Sequence, residues 1–339
     1  MKRLIILIIP AFLILNNPLH SEVTKVGTTV ANFLSIEAGA RAVGMGGAFV
    51  AIAEGPTSMF WNPSGIARMP KASAVFNHSK WLMDIDYNYA GLTIPMGNYG
   101  TLGANAVFLS IGDMQITTIE QPDGVENGYF SAGSYAIGIN YAVNLTDRFS
   151  VGFGAKYIDE YIWNSKATGV AFDLGTLFTT QFNGLQIGMS ISNYGTKMQM
   201  SGKDLLVQHD IDEFHHGNNP NINAYLATDK FDLPLMFRVG ISMDVLKGYA
   251  NSNLIVAIDA LHPNNNAESL NIGAEYVFNK MFSLRAGYNT LFLPDDQSGL
   301  SLGAGFMYAL GNIDMAIDYA YRDFGILKDI QMFTVQLMF

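Results

Sequence analysis

Apolar and polar residues alternate along most of the chain after residue 72. In the stretch NIDMAIDYAYR, Ile313, Met315 and Ile317 fall on one side, whereas Asp314 and Asp318 fall on the other. Side chains of a β-strand point alternately to its two faces, so this pattern predicts strands with one apolar and one polar face. The stretches LNIGAEYVF, FRVGISMDV and YAIGINY alternate in the same way. About fourteen such segments occur, near 72–79, 86–96, 100–111, 131–143, 148–160, 168–182, 184–193, 234–246, 253–262, 268–278, 281–290, 299–309, 312–322 and 330–339.

Two architectures are compatible with these segments. In a soluble sandwich the apolar faces pack together and the polar faces meet water. In a transmembrane barrel the apolar faces meet lipid and the polar faces line the lumen. The segments have about the ten residues that a tilted strand needs to cross a bilayer. Their polar faces are rich in Gly, Ala and Ser rather than Lys and Glu, which favours an all-β, transmembrane antiparallel β-barrel over residues 72–339.

The connections between segments indicate an even number of strands. Those after even-numbered segments are short, such as NLTD and GN, whereas those after odd-numbered segments are longer and reach Tyr194–Leu233. Outer-membrane barrels have short periplasmic turns and longer extracellular loops. We therefore expect both chain ends on the periplasmic side. The terminal Phe339 closes an alternating strand and resembles the signal by which bacterial outer-membrane barrels are recognised for insertion.

The composition is consistent with a barrel and narrows the possible partners. Only 14% of residues are charged, there are 34 Gly, 16 Tyr and 22 Phe, and the mean hydropathy is +0.19. The net charge of −10 argues against a nucleic-acid partner, which needs clustered Lys and Arg. The absence of Cys excludes a disulfide framework and thiolate metal sites.

The first 21 residues differ from the rest of the chain. Lys2 and Arg3 precede an apolar run from Leu4 to Leu15, which is too short to span a bilayer as a helix. This pattern predicts a secretory signal peptide over residues 1–21, with a short membrane anchor as the alternative. The expected location is the outer membrane of a Gram-negative-type bacterium.

Residues 22–71 lack the alternation and contain a dense run of small residues, GARAVGMGGAFVAIAEGPTSMFWNPSGIARM. A phosphate loop would need Gly-Lys-Ser/Thr after a strand, and a linker would be less apolar. Gly and Ala allow the backbone to pack closely against a barrel wall. A barrel of about fourteen strands encloses a wide lumen, which is either filled by protein or open as a channel. We expect a lumenal hatch that begins with a short helix, in which Glu37 and Arg41 are spaced i,i+4. The candidate hatch residues are Arg41, Gly44, Gly46, Gly47, Trp61, Asn62, Pro63 and Gly65.

This stretch, followed by such a barrel, resembles the FadL-like (long-chain fatty-acid transporter) superfamily and, more narrowly, the PorV/PorQ family of outer-membrane proteins. The Ala-Arg-Ala and Gly-Met-Gly-Gly-Ala segments and Trp61 to Gly65 carry the resemblance, although Ser64 stands where the family usually has Ala. The resemblance implies a 14-stranded barrel with an N-terminal hatch. It also implies one of two roles, because FadL-like relatives move hydrophobic molecules whereas PorV-like relatives serve type IX secretion and receive cargo proteins.

Several charged residues fall on the small-residue faces of the strands and are expected to face the lumen. They could form a polar path for a ligand, but an ion-pair ladder that fastens the hatch is the favoured interpretation, because buried charges must be paired in either case. Arg41 is the expected hatch partner of one of these acids. The set comprises Arg238, Asp244, Asp259, Glu275, Arg285, Asp314, Asp318 and Arg322.

The long connection contains two further candidates. Its acidic and histidine residues are suitable ligands for a metal ion, but their spacing matches no defined loop motif, so a solvated loop is favoured. These residues are His209, Asp210, Asp212, Glu213, His215 and His216. An apolar strip over the barrel mouth could accept a hydrophobic ligand, a secreted partner or only neighbouring loop residues. It comprises Leu205, Leu206, Val207, Ile211 and Phe214.

No Ser-His-Asp order or paired-carboxylate motif supports an enzyme, and no cofactor is indicated. We therefore expect a non-enzymatic barrel of the PorV/PorQ type in contact with outer-membrane lipid. Its expected partners are secretion-system proteins or secreted cargo. A FadL-like passive channel for hydrophobic small molecules is the alternative, and a structural protein without a transport role is the second.

Overall fold

The computed structural model describes residues 26–126, 128–211, 214, 219, 221–247, 251–293, 297 and 299–339. The predicted signal peptide lies outside these residues. Among the described residues, fourteen strands form one continuous wall. They are β1 (Ser73–Lys80), β2 (Asp86–Pro95), β3 (Thr101–Gln115), β4 (Tyr129–Thr146), β5 (Phe149–Ile162), β6 (Ser165–Thr179), β7 (Gln186–Gly195), β8 (Met236–Asp244), β9 (Ser252–Pro263), β10 (Ser269–Phe278), β11 (Phe282–Leu291), β12 (Leu300–Leu310), β13 (Ile313–Asp323) and β14 (Asp329–Met338).

The wall closes on itself. Each strand pairs antiparallel with its neighbours in sequence, and β7 pairs with β8 across the long connection. The first and last strands also pair, with Ser73 opposite Met338 and Lys80 opposite Gln331. Closure leaves no strand edge in the ring, which a membrane requires because lipid cannot satisfy free backbone groups. The prediction of a closed antiparallel barrel of about fourteen strands is confirmed.

The two faces of the wall follow the alternation in the sequence. On β13, Ile317 is 42% exposed on the outer face, whereas its neighbour Asp318 is 7% exposed and faces inward. On β10, Ile272 is exposed on the outside while Asn271 and Glu275 are buried. Apolar side chains that would be a core in a soluble sandwich are thus directed away from the interior, towards lipid.

The barrel has two distinct ends. The turn end carries the connections 96–100, 147–148, 180–185, 245–251, 279–281 and 311–312, together with the start of β1 and the end of β14. The loop end carries 81–85, 116–128, 163–164, 196–235, 264–268, 292–299 and 324–328.

The connection between β5 and β6 at the loop end is a tight turn instead of the predicted loop. The sequence assigned residues 161–167 to a loop, but β5 and β6 continue to a tight turn at Trp163 and Asn164. Residues 165–168 still alternate, because Ser165 and Ala167 are buried while Lys166 and Thr168 are exposed. The outer residues are polar and were therefore interpreted as a loop.

The long connection forms small sheets at the loop end. Met198–Gln199 pairs with Lys230–Phe231, Ser201–Gly202 pairs with the start of β6, and Leu206–His209 pairs with Ile222–Tyr225. Short 3₁₀ turns at Leu82–Asp84, Gly97–Tyr99, Lys203–Leu205 and Gly325–Leu327 complete the connections. Among the described residues, no helix is both long and apolar enough to cross a membrane.

Residues 29–69, which we call the inner segment, precede the wall. They contain a 3₁₀ turn (Asn32–Ser35), α1 (Ala40–Gly44), α2 (Ser58–Trp61) and a second 3₁₀ turn (Pro63–Arg68). The predicted single helix with a Glu37–Arg41 pair is wrong. Gly39 has φ +92°, which interrupts the helix, and Glu37 instead forms an ion pair with Arg322 of β13.

The prediction that both chain ends lie at the same end of the barrel is also wrong for the described part of the chain. Thr29 forms a parallel bridge with Asp232 of the long connection, at the loop end. Lys71 reaches Asp314 and the Asn312 carbonyl at the turn end. An even number of strands fixes only the two ends of the wall, whereas the inner segment crosses the lumen once before β1 begins.

Candidate functional site: the occupied lumen

The inner segment contacts the wall on all sides. Glycines on the inner face of nine strands lie so close to it that an added Cβ would contact its atoms. These glycines are Gly91, Gly103, Gly152, Gly175, Gly188, Gly240, Gly273, Gly287 and Gly303. A segment that touches strands on opposite sides of a closed ring lies within the ring. The glycines on the polar faces therefore leave room for a second layer of backbone.

The two central glycines of the Gly-Met-Gly-Gly motif are constrained by both conformation and space. Gly46 and Gly47 have φ values of +64° and +74°, which favour glycine. A Cβ on Gly46 would lie 2.6 Å from the Tyr288 backbone nitrogen and 2.9 Å from the Gly287 carbonyl carbon. Here both contacts are backbone atoms of β11, which cannot rotate away.

The Trp-Asn-Pro-Ser-Gly segment ties distant parts of the inner segment together. Trp61 is fully buried and donates from Nε1 to the Ala38 carbonyl at 2.9 Å. The Asn62 side-chain amide donates to the Val50 carbonyl at 2.9 Å and to the Thr176 carbonyl of β6 at 3.0 Å. The buried N–H donors of both side chains are therefore hydrogen-bonded, and the bond from Asn62 to Thr176 fixes the segment to the wall.

The remaining residues of this motif shape the turn that follows. The Asn62 Oδ1 atom accepts from the Ser64 hydroxyl at 2.6 Å and from the Ser64 backbone nitrogen at 3.2 Å. Pro63 opens the second 3₁₀ turn, where a missing N–H is tolerated. A Cβ at Gly65 would meet the Ala53 carbonyl oxygen. Serine at position 64 thus adds a hydroxyl donor that alanine would lack.

Five charged side chains form a continuous ladder between the inner segment and the wall. Arg41 pairs with the exposed Glu54 at 2.8 Å and with the buried Glu275 at 2.6 Å. Arg285 pairs with Glu275 at 2.6 Å and with Asp318 at 2.6 Å. Charges alternate along the ladder, so each buried charge has an opposite neighbour within hydrogen-bond distance.

Two other predicted residues hold the inner segment from different strands. Asp259 of β9 accepts backbone hydrogen bonds from Phe49 and Val50 at 2.7 and 2.8 Å. Arg322 of β13 pairs with Glu37 at 2.6 Å and donates to the Ser301 hydroxyl at 2.9 Å. Both interactions fasten backbone or side chains of the inner segment to the wall.

The last three predicted charges have other surroundings. Arg238 donates to the Ser192 hydroxyl at 3.0 Å and stacks over Trp61, with 5.3 Å from its Cζ to the ring centroid. Asp244 accepts from the backbone nitrogens of Leu246 and Leu254 at the turn end. Asp314 pairs with Lys71, also at the turn end. The structure therefore does not bring Asp244 and Asp314 into the lumenal ladder.

Sequence reasoning missed several residues that hold the inner segment. Tyr87 and Tyr89 of β2 are fully buried, and their hydroxyls donate at 2.9 Å to the carbonyls of Ile36 and Pro56. On this strand the aromatic residues face inward while Asn88 faces outward, which inverts the usual polarity of the two faces. Lys156 and Asp173, paired at 2.8 Å between β5 and β6, were also missed. Both residues occupy inward-facing positions of the alternating pattern, and this pattern could have identified them as lumenal charges.

The inner segment divides the lumen into two unequal parts. Towards the loop end, Phe33 and Leu34 pack in an apolar cluster with Met198 and Leu233 of the long connection. Towards the turn end there is a cavity of about 570 Å³, lined by charged residues of the ladder, by polar side chains and by apolar side chains such as Ile52, Val277 and Phe306. The lining includes Arg41, Glu54, Arg68, Glu275, Lys280, Arg285, Asp318 and Gln336.

The structure separates the predicted apolar strip. Leu206 and Val207 are consecutive residues of one strand and therefore point to opposite faces. Leu205 and Val207 are half-buried, whereas Leu206, Ile211 and Phe214 are exposed. The five residues thus do not form one surface, because a strand period of two distributes neighbouring residues over both sides.

Exposed apolar side chains nevertheless concentrate at the loop end. Six of its seven connections present at least one large, exposed apolar residue, and only 264–268 does not among the described positions. We call this set the apolar rim. It comprises Met83, Ile119, Trp163, Leu206, Ile211, Phe214, Ile222, Tyr225, Leu226, Phe231, Phe292, Ile326 and Leu327.

The remaining candidates from the sequence are the metal ligands of the long connection and the terminal Phe339. Among the described residues, no group of three His, Cys, Asp or Glu side chains could hold a metal ion. Four of the six candidate metal ligands of the long connection, Asp212, Glu213, His215 and His216, lie outside those residues. The backbone nitrogen of Phe339 donates to the Ala72 carbonyl at 2.8 Å, and its ring is exposed on the outer face. Its role as an insertion signal stays a prediction.

Comparison with known proteins identifies related sequences and folds. A family model described as Type IX secretion system protein PorV matches residues 20–204. The Pseudomonas putida toluene transporter TodX shares 12% identity with a TM-score of 0.54, covering 89% of this chain and 96% of that chain. The Ralstonia pickettii toluene transporter TbuX shares 14% identity with a TM-score of 0.53, covering 89% and 98%.

A Pseudomonas aeruginosa FadL homologue shares 12% identity with a TM-score of 0.52, covering 89% of this chain and 98% of that chain. At such identities these three likenesses establish the fold alone. No curated protein sequence matches this chain significantly. The family match covers the inner segment and the first half of the wall, so it includes the residues that carry the sequence resemblance.

Proposed function

Since this chain belongs to the family of Type IX secretion system protein PorV, we propose that it is an outer-membrane component of protein secretion that receives a secretion-system protein or a secreted protein at its loop end. The chain is a transmembrane β-barrel of the outer membrane. Longer connections lie on the extracellular side of such barrels, so the loop end faces outward. The proposed role is non-enzymatic.

The observation that carries this proposal is an exposed apolar rim above an occupied lumen. A channel needs a free path, whereas here the inner segment contacts strands around the ring and is fastened by buried ion pairs. Exposed apolar residues concentrated at one end of a protein are typical of interaction sites. The combination supports a barrel that presents its loops to another protein rather than one that conducts through its centre.

The chemistry of the rim indicates how a protein partner would be held. Aromatic and large aliphatic side chains supply most of the binding energy of interfaces when a partner excludes water from them. The most exposed aromatic, thioether and aliphatic members are Phe214, Met83 and Ile119, each at least 91% exposed. They stand on different connections, so a partner that covers the mouth would bury them together.

Deletion of the gene in the host bacterium tests the proposed role. We expect proteins secreted by the type IX route to accumulate in the periplasm, and the wild-type gene to restore their secretion. Unchanged secretion in the deletion strain would contradict the proposal. Extracellular and periplasmic cargo are measured by immunoblotting.

Loop variants test whether the rim is the receiving surface. The double substitution Ile119→Asp and Ile211→Asp should weaken partner binding by about 2 kcal/mol, or roughly thirtyfold, and reduce secretion accordingly. Phe182→Asp is the matched control, because Phe182 is 73% exposed at the turn end. Equal effects of the two changes, with both barrels folded and heat-modifiable on gels, would place the receiving surface elsewhere.

Passive transfer of hydrophobic molecules is the second candidate. The apolar cluster of Phe33, Leu34, Met198 and Leu233 favours it, since it provides an apolar region beneath the loops. The charged ladder below this cluster opposes an apolar path through the barrel. Uptake of radiolabelled toluene and of a long-chain fatty acid should therefore be unchanged in the deletion strain. A loss of uptake with intact secretion would favour this candidate instead.

A further inference from the structure

The inner segment enters the barrel from the loop end. Val26 is 62% exposed, and within three residues the chain becomes buried at Thr29. The Val30 backbone nitrogen donates to the Asp232 carbonyl at 3.0 Å, next to the short strand Lys230–Phe231. The start of the inner segment is therefore part of the loop-end surface.

Residues 29–32, which we call the latch, are fastened to three loop-end elements. Asp232 belongs to the long connection. Asn265 of the 264–268 connection donates from Nδ2 to the Thr29 hydroxyl at 2.7 Å and to Asn32 Oδ1 at 3.2 Å. The Ala31 backbone nitrogen donates to Glu160 Oε2 of β5 at 3.1 Å. A set of directional hydrogen bonds thus fixes the chain where it enters the lumen.

The chain leaves the barrel at the opposite end. Arg68 donates to the hydroxyls of Ser150 and Thr179 at 3.0 and 2.8 Å, beside the turn-end connections. Lys71 then reaches the carbonyl of Asn312. The polypeptide therefore passes once through its own barrel, from the loop end to the turn end, before it forms the first strand.

We propose that residues 26–28, just upstream of Thr29, lie on the cell surface and that the latch gives the extracellular loops a direct hold on the inner segment. This inference rests on the path of the chain and on the lengths of the connections, not on the secretion role. Beneath the latch, Phe33 and Leu34 are buried among residues of the long connection and the wall. A partner that covers the loops therefore meets the chain that fills the lumen.

Single cysteines test the position of the upstream chain, because the protein has no Cys of its own. Val26→Cys should react with a membrane-impermeant maleimide on intact cells. Ile119→Cys in a loop-end connection is the positive control, and Tyr99→Cys in a turn-end connection should react only after the outer membrane is opened. Each variant is first checked for heat-modifiable migration, which reports a folded barrel.

The outcomes of this experiment are distinct. Reaction of both Val26→Cys and Ile119→Cys on intact cells, with Tyr99→Cys protected, supports the proposal. Reaction of Val26→Cys only after permeabilisation, while Ile119→Cys reacts on intact cells, overturns it. Reaction of Tyr99→Cys alone on intact cells would reverse the orientation of the barrel and overturn it as well.

The latch itself is tested by removing one of its donors. Asn265→Ala removes two hydrogen bonds to the latch, and should raise the rate of maleimide reaction at Val30→Cys by about fivefold or more, since one ordinary hydrogen bond contributes about 1 kcal/mol. Asn266→Ala is the control, because the Asn266 side chain accepts only from the adjacent Ala267 nitrogen among the contacts of the described residues. An unchanged rate with Asn265→Ala, or an equal increase with both, would contradict the latch.

Discussion

The barrel wall and the inner segment place their polar groups differently. In the wall, backbone groups are paired between strands, and side chains face lipid or lumen according to their position in the alternation. In the inner segment, helices are only four or five residues long, and much of the backbone is held by side chains of the wall, such as Asp259 and Thr334. The wall is therefore specified locally, whereas the inner segment depends on contacts between residues far apart in sequence.

This difference determines what each region tolerates. A wall residue on the outer face needs to be apolar and little else, since lipid adapts to its shape. A residue of the inner segment that packs against the wall must fit a fixed space, because backbone and side chains of the barrel surround it there. We therefore expect the largest effects from changes that break the contacts between the two regions, and smaller effects from changes within either one.

The largest effect is expected at Glu275, which joins the two regions. Glu275→Gln would leave Arg41 and Arg285 without their shared buried carboxylate, and should lower the free energy of unfolding by about 3–5 kcal/mol. Chemical unfolding in detergent micelles measures the loss. Glu268→Gln removes an exposed pair with His262 and should cost at most about 1 kcal/mol. Similar losses for both would mean that the buried ladder does not fasten the inner segment.

A charge on the outer face should be costly in proportion to its depth in the membrane. Ile317→Arg, near the middle of β13, should cost about 2–4 kcal/mol, whereas Ile313→Arg, beside the turn at 311–312, should cost about 0–1 kcal/mol. Both residues are about equally exposed on the same face. Folding into lipid vesicles from denaturant measures the two costs. Equal costs would contradict the assigned position of β13 in the bilayer.

Replacement of a central glycine separates steric contact from backbone strain. Gly46→Ala and Gly97→Ala place a Cβ on backbones with nearly the same φ, +64° and +62°. The Cβ at position 46 meets backbone of β11, whereas nothing lies within 4 Å of it at position 97. We expect Gly46→Ala to cost about 1–3 kcal/mol more, the usual cost of overpacking, in thermal unfolding. Equal costs would mean that the inner segment is not closely packed against the wall.

The wall was predictable from sequence because its rule is local. A period of two identifies strands without knowledge of their partners, and the short connections fix the order of pairing. The rule failed at residues 165–167, where Lys166 makes the outer face of the strand polar. It also hid Tyr87 and Tyr89, because large inward aromatics are unusual on a face that elsewhere holds small residues.

The inner segment could be predicted only in outline. Its small residues indicated close packing, and Arg41 was an evident partner for a lumenal acid. The partners of Glu37, Asn62 and Asp259 depend on which strands surround the segment, and no local pattern encodes this information. The direction in which the chain crosses the lumen was not predictable either, since strand parity constrains only the wall.

The smallest effect is expected in the loops, where contacts are exposed. A hydrogen bond from the Asn164 side chain, with others from Ser165 and the Asn164 backbone, lowers the pKa of Asp204 below its usual value. A lowered pKa in the folded state means that these contacts stabilise the loop above the ordinary pKa, about 3.9, and that this is lost as pH falls through the folded value. Hydrogen exchange at the Asn164 amide, corrected for intrinsic rates, should accelerate only at that acidity. Asp204→Asn should abolish the pH dependence, and its persistence would assign the effect to another group.

Whether the inner segment occupies the lumen is tested by the conductance of the barrel with and without this segment. We compare the wild type with a variant that lacks residues 26–69, both reconstituted in planar bilayers. In the variant, Glu275, Arg285 and Asp318 still pair with one another on the wall, so the barrel should still fold and migrate as a heat-modifiable band. If the inner segment occupies the lumen, the wild type should show little or no conductance and the variant large, steady openings. A folded variant with the same conductance as the wild type would mean that the inner segment does not block the lumen.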